Sequence, residues 1–127
     1  MGPGREGGAM ADSDACRWGR FYAGLHTLRV LAGEDGKLDA ARDDAAKRPL
    51  TVFGDRMVKA YRHLGKAKRR GPAHADAAAE VFRALADFHP AAETPPATLG
   101  EAQQTEFLRG YGTQKLEYEL AHRKLLT

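Results

Sequence analysis

The side chains best suited by type and spacing to do chemistry in this chain are cations. The run RMVKAYRHLGKAKRR (56–70) carries Arg56, Lys59, Arg62, Lys66, Lys68, Arg69 and Arg70, and no Asp or Glu. Lys59, Arg62, Lys66 and Arg69 recur at spacings of three and four, which puts them on one face of a helix. Such a row can hold the phosphates of a polyanion without moving a proton or making a bond. A solvated helix face carries the same pattern, and a membrane surface or an acidic protein would also accept it. A membrane helix would need an exposed apolar face as well. Arg17, Arg20, Arg29 and Arg83 extend the patch if their helices pack alongside. Contact of this kind is made mostly to backbone, with weak sequence preference.

The other reactive residue types are scattered. His26, His63, His74, His89 and His122 make neither HExxH nor HxH, so no compact metal motif is present. Cys16 is the only cysteine. Arg17 beside it and an early helix position would both lower a thiol pKa, but no histidine adjoins it in sequence. Asp43 and Asp44 read as surface solvation. The glycines of GPGREGG lack the lysine and the flanking strand of a phosphate-binding loop. Tyr111 and Tyr118 could stack on bases, with Gln114 bonding to one, but fit a core or an interface better. The expectation is a non-enzymatic protein without cofactor or metal.

These residues must be positioned by helices. Isoleucine is absent, while Ala, Leu, Arg, Lys and Glu are frequent, a helix-favouring set. Ser13 is a natural N-cap for a helix over 14–32, with Trp18, Phe21, Leu25, Leu28 and Ala32 as its apolar stripe. Gly19 and Gly24 weaken it, and one of them would admit a close neighbour. A short surface helix is expected within 37–48, ended by Pro49. The next runs over about 50–69, with Leu50, Phe53, Met57, Ala60, Tyr61 and Leu64 inward and the basic stripe across the axis. Gly71–Pro72 stops it. A fourth covers 74–88, and the proline-rich 89–97 is a stiff connector. Thr98 and Glu101 have capping-box spacing for a last helix over 99–125. Gly110 and Gly112 interrupt that helix, so it either bends there or is tightly packed. The reading is an all-α, four- to five-helix bundle: a glycine-rich flexible tail over 1–12 and a single domain over 13–127.

The 127 residues suit one domain, and an apolar fraction of 43% excludes wholesale disorder. A net charge of +3 is a mild bias that does not by itself indicate nucleic acid. One cysteine leaves no intrachain disulfide and fits a reducing compartment. The N-terminus lacks an apolar leader and no stretch approaches a membrane span, so a cytoplasmic protein without a membrane partner is expected.

The segment PPATLGEAQQTEFLRGYGTQKLEYE (95–119) resembles the closing segment of the large subunit of type I-C CRISPR effector complexes. The matching positions are Pro96, Leu99, Glu101, Gln103 or Gln104, Phe107, Gly110, Tyr111 and Gln114. GRFYAGLHTL (19–28) is similar to the helix that opens the same region. The stretch 45–69 resembles its middle, through Pro49, Phe53, His63 and Lys66. Gly112 and Lys115 stand where the family has a second aromatic and an arginine. In such systems this region is also made separately as a small subunit of the Cascade complex. The resemblance therefore implies a non-catalytic helical bundle in antiviral defence, present in several copies beside other subunits. Its partners would be guide RNA and target DNA, and its role to stabilise the heteroduplex and the displaced strand. A small helical adaptor or protein-interaction module without nucleic acid is the alternative.

Overall fold

In the computed structural model, which describes residues 13–34, 42–90 and 94–126, the chain is all-α, and no strand occurs among those residues. Its helices are α1 (Asp14–Leu31), α2 (Arg42–Lys47), α3 (Pro49–Lys68), α4 (Pro72–Phe88), α5 (Glu101–Ala121) and α6 (Arg123–Leu126). Four are long and two are a turn or so. The expected tail over 1–12 and the first part of the expected 37–48 helix lie outside the described residues.

Each start has a local cause. The Ser13 hydroxyl accepts the Cys16 N–H at 3.2 Å, satisfying one orphan donor of α1. Pro49 and Pro72 open α3 and α4, where a missing N–H costs nothing and φ is already helical. Gly71 joins α3 to α4 at φ 127°, a conformation that L side chains rarely adopt. The expected Thr98 capping box does not form. Gly100 is the N-cap of α5, and the Gln103 carboxamide reaches back to the Gly100 N–H at 3.2 Å. The last helix also divides, at His122, where one unbroken helix to 125 was expected.

α1 is the central element, packed on α5, α4 and α3. One apolar stripe was expected for it, yet burial runs almost all round, from Ala15 and Cys16 through Gly19, Tyr22 and His26 to Leu31. Small residues make this possible. A Cβ added at Gly19 would lie 2.0 Å from the Phe107 carbonyl oxygen, and one at Gly110 would lie 2.1 Å from that of Cys16. The two helices therefore cross backbone to backbone, and α5 stays helical through Gly110. Around the crossing sits an aromatic core. Trp18 meets Phe53 edge-on at 5.6 Å, Tyr22 stacks on Phe53 at 5.3 Å, and Tyr111 lies 5.7 Å from Tyr22.

The contacts also give direction. Residues early in α1 meet residues early in α3 and α5 (Trp18 with Phe53, Ser13 with Glu106), and later ones meet later ones (Arg20 with Gln114). These three helices run the same way. α4 returns against them, its C-terminal end held by Arg17 near the start of α1. The segment before α5 is tied to the α2–α3 junction by the Leu50 N–H to the Pro96 carbonyl at 3.0 Å and the Leu99 N–H to the Lys47 carbonyl at 3.1 Å.

Candidate functional site

The basic run folds as expected into α3, but its seven cations do not form one surface. The reason is the rotation of the helix. Phe53, Ala60, His63, Leu64 and Ala67 are buried, while Tyr61, expected inward, is 77% exposed and Leu50 is 46% exposed. The inward face is turned from Tyr61 toward His63, which brings Arg56 and Lys59 half under cover.

Three members are committed within the fold. Arg70 leaves the run and donates to the Leu31 carbonyl at 2.8 Å and the Val30 carbonyl at 3.4 Å, the last acceptors of α1. Lys66 pairs with Glu34 beyond the end of α1. That ammonium is the main reason the Glu34 carboxyl is held below its ordinary value. The Arg56 guanidinium lies 5.4 Å from the Tyr22 ring centroid, a cation–π distance. Lys68, Arg69 and Arg62 are exposed. Arg62 and Arg69 are two turns apart on one face, about 10 Å along the axis. Lys68 points about 100° away from Arg69 and does not thicken that row.

The rotation gathers a different set. Arg56, Lys59, Arg62 and His63 of α3 meet Arg29 and Glu34 from the end of α1 around a cavity of about 180 Å³. Of the four arginines that would extend the patch if their helices packed alongside, Arg29 does so. Arg17 instead donates to the carbonyls of Asp87, Phe88 and His89 at the end of α4. Arg20 donates to Gln114 at 2.8 Å and pairs with Glu117 at 3.2 Å. Arg83 is exposed on α4. His63 and Glu34 were outside the expected set of site residues. Spacing could have found His63, which follows Phe53 and Ala60 around the inward face.

His63 is 4% exposed, and burial pushes its pKa down; Glu34 opposes this, while Arg62, Arg29 and Lys66 add to it. The Tyr22 phenol is raised, again by burial, with Arg56 and Arg29 acting against the rise. Tyr111 and Gln114 are buried rather than presented to a ligand, and burial raises the Tyr118 phenol to about 12. Cys16 is fully buried at the α1–α5 crossing.

A second surface feature was not expected. Leu116 and Leu120 are one turn apart on α5 and 55% and 62% exposed. With Glu119, Arg123 and Leu126 they line a groove of about 280 Å³. Val58 is also open to solvent, as is Tyr61, whose ring meets that of Phe82 at a steep angle, 6.3 Å between centroids. Among the described residues no group of three His, Cys, Asp or Glu side chains is placed to hold a metal ion. No helix among them is long and apolar enough to cross a membrane. No protein-family model matches the chain, and no curated protein is similar enough in sequence to count as a relative.

Proposed function

We propose that this chain is a non-catalytic helical interaction module that acts by docking a protein helix on the α5–α6 edge. The observation that carries this reading is the pair Leu116 and Leu120, open on a helix whose opposite side is buried at Phe107, Tyr111 and Tyr118. An apolar pair at i,i+4 beside a groove is the usual geometry of a helix-in-groove contact. A second copy of the chain supplies a fitting occupant. Glu119 and Arg123 lie on either side of Leu120 in the same groove. Across a two-fold axis the Glu119 of one copy would face the Arg123 of the other. The test is sedimentation of the wild type and of L116E/L120E. Concentration-dependent association in the wild type, lost in a variant that stays folded, is expected. A wild type that remains monomeric at its solubility limit ends the self-association form of the reading.

Arg62 and Arg69, exposed on one face of α3, favour a second reading. Together with the sequence resemblance they support a Cascade-type small subunit that touches guide RNA and target DNA through the phosphate backbone. A salt titration with single-stranded DNA, duplex DNA and guide RNA separates the two. Backbone binding would show an affinity falling steeply with salt, by about one unit of slope for each phosphate contact. It would weaken in R62E/R69E. Lys66 is a poor probe, because a glutamate there would face Glu34 and disturb the fold.

A further inference from the structure

We propose that the cavity between the end of α1 and the middle of α3 is a binding site for a phosphate oxyanion, free or as a monoester, held by Arg29, Arg56, Lys59 and Arg62. The lining has no apolar member: four cations, His63 and one carboxylate surround the space. That carboxylate, Glu34, is already engaged by Lys66 from outside the cavity lining. Among the described lining residues cations outnumber carboxylates, in a partly enclosed place where screening is weaker than on open surface.

Size selects the ligand. At about 30 Å³ per water, 180 Å³ holds roughly six waters. Pockets for whole small molecules begin near 300 Å³. The space therefore suits a phosphoryl group and leaves the group bearing it outside. Guanidinium forks match phosphate oxygens in pairs, and three of the four cations are arginines.

The walls are held in advance. Arg29 belongs to α1 and the others to α3, and the two helices are locked by Tyr22 on Phe53 at 5.3 Å and by Arg70 on the Leu31 carbonyl at 2.8 Å. A nucleic-acid strand fits less well, since it needs cations spread along its length. Lys66, which would continue the row between Arg62 and Arg69, is turned to Glu34.

This inference does not rest on the helix-docking reading. It is tested by NMR on the full chain, following the arginine Nε–H signals at low ionic strength. The titrants are inorganic phosphate, glycerol phosphate, and an oligonucleotide without terminal phosphate. Saturable shifts at Arg29, Arg56 and Arg62 are expected with the first, the second or both, and the stronger of the two identifies the source. Binding should weaken at least about tenfold in R62Q, the loss of a charged hydrogen bond, and stay unchanged in R69Q. The absence of saturable shifts in folded wild type overturns the proposal. So does equal weakening in R69Q, which would mean diffuse screening, or displacement of phosphate by the oligonucleotide, which would mean a strand site. L116E/L120E should keep the phosphate shifts, so failure of the docking reading is read separately.

Discussion

Three glycines of similar sequence appearance have opposite consequences. Gly19 and Gly110 stand where two helix backbones touch, and Gly112 faces open space with no atom within 4 Å of an added Cβ. The G19A and G110A substitutions should each destabilise by about 2–4 kcal/mol, more than ordinary overpacking because the opposing atoms are backbone. G112A should stabilise by about 0.5–1 kcal/mol through helix propensity. Urea unfolding of the three variants measures this, and equal effects would contradict the crossing. Tight packing at Gly110 was legible in outline, since a glycine pair in a helix interior needs a reason. Which glycine carried it was not, because that depends on the partner backbone. His63 gives a second expectation. Its folded pKa lies below its unfolded value of 6.5, so the unfolded chain binds more protons in the window beneath that value. Its contribution to stability is therefore complete above about pH 6.5 and is lost as pH falls through the folded pKa. In H63Q that part of the pH dependence should vanish, while the loss of the Glu34–Lys66 pair at lower pH should persist. Thermal melts from about pH 7 down to about pH 3 follow both, the Glu34 part falling below its ordinary value of 4.5.

At the scale of the helix, the basic run has a role that its spacing conceals. α1 and α3 run the same way, so their C-terminal ends, with unsatisfied carbonyls and partial negative charge, lie side by side. Lys66 and Arg70 sit at that junction, and Arg70 caps α1 from outside it. Arg17 does the same for α4, donating to three carbonyls at 2.9 to 3.2 Å. R17A and R70A should each cost about 1.5–3 kcal/mol, the range for hydrogen bonds to charged groups. R69A should fall within about 0.5 kcal/mol of wild type. Denaturant midpoints test the ranking, and R70K should rescue part of the loss, because a single nitrogen of Arg70, Nη1, makes both carbonyl contacts. The lengths of α1, α3 and α4 were readable from periodicity and from Gly and Pro signals. The rotation of α3 was not. Both Tyr61 and His63 are amphipathic, and only the shape of the facing core chooses which turns inward.

For the whole molecule, the fold class was clear from composition and helix spacing, while the arrangement of the helices was not. Nothing local in α1 says that it is the central element. Its glycines read as weak points until α5 is placed against them. The candidate surfaces divide in the same way: the cations were visible as a run, but their gathering into a pocket with Arg29 required the α1–α3 contact. The open Leu116–Leu120 pair was absent from the expected set, because leucines on a helix are read as core by default. L116E/L120E should leave the melting temperature within a few degrees of wild type while abolishing association, since both side chains already face solvent. Calorimetry beside sedimentation checks both halves of that expectation.

The pairing of α1 with α5 has a consequence for how the chain comes into being. Arg20 and Gln114 bond across 94 positions of sequence, and Ser13 and Glu106 across 93. On the ribosome α1 emerges well before α5 is made. Until then Tyr22 lacks Phe107 and Tyr111, two of the rings packed around it. Such dependence on distant contacts slows folding relative to a bundle of sequential hairpins. A nascent chain of this kind is a natural client for a chaperone that shields apolar helices until synthesis is complete.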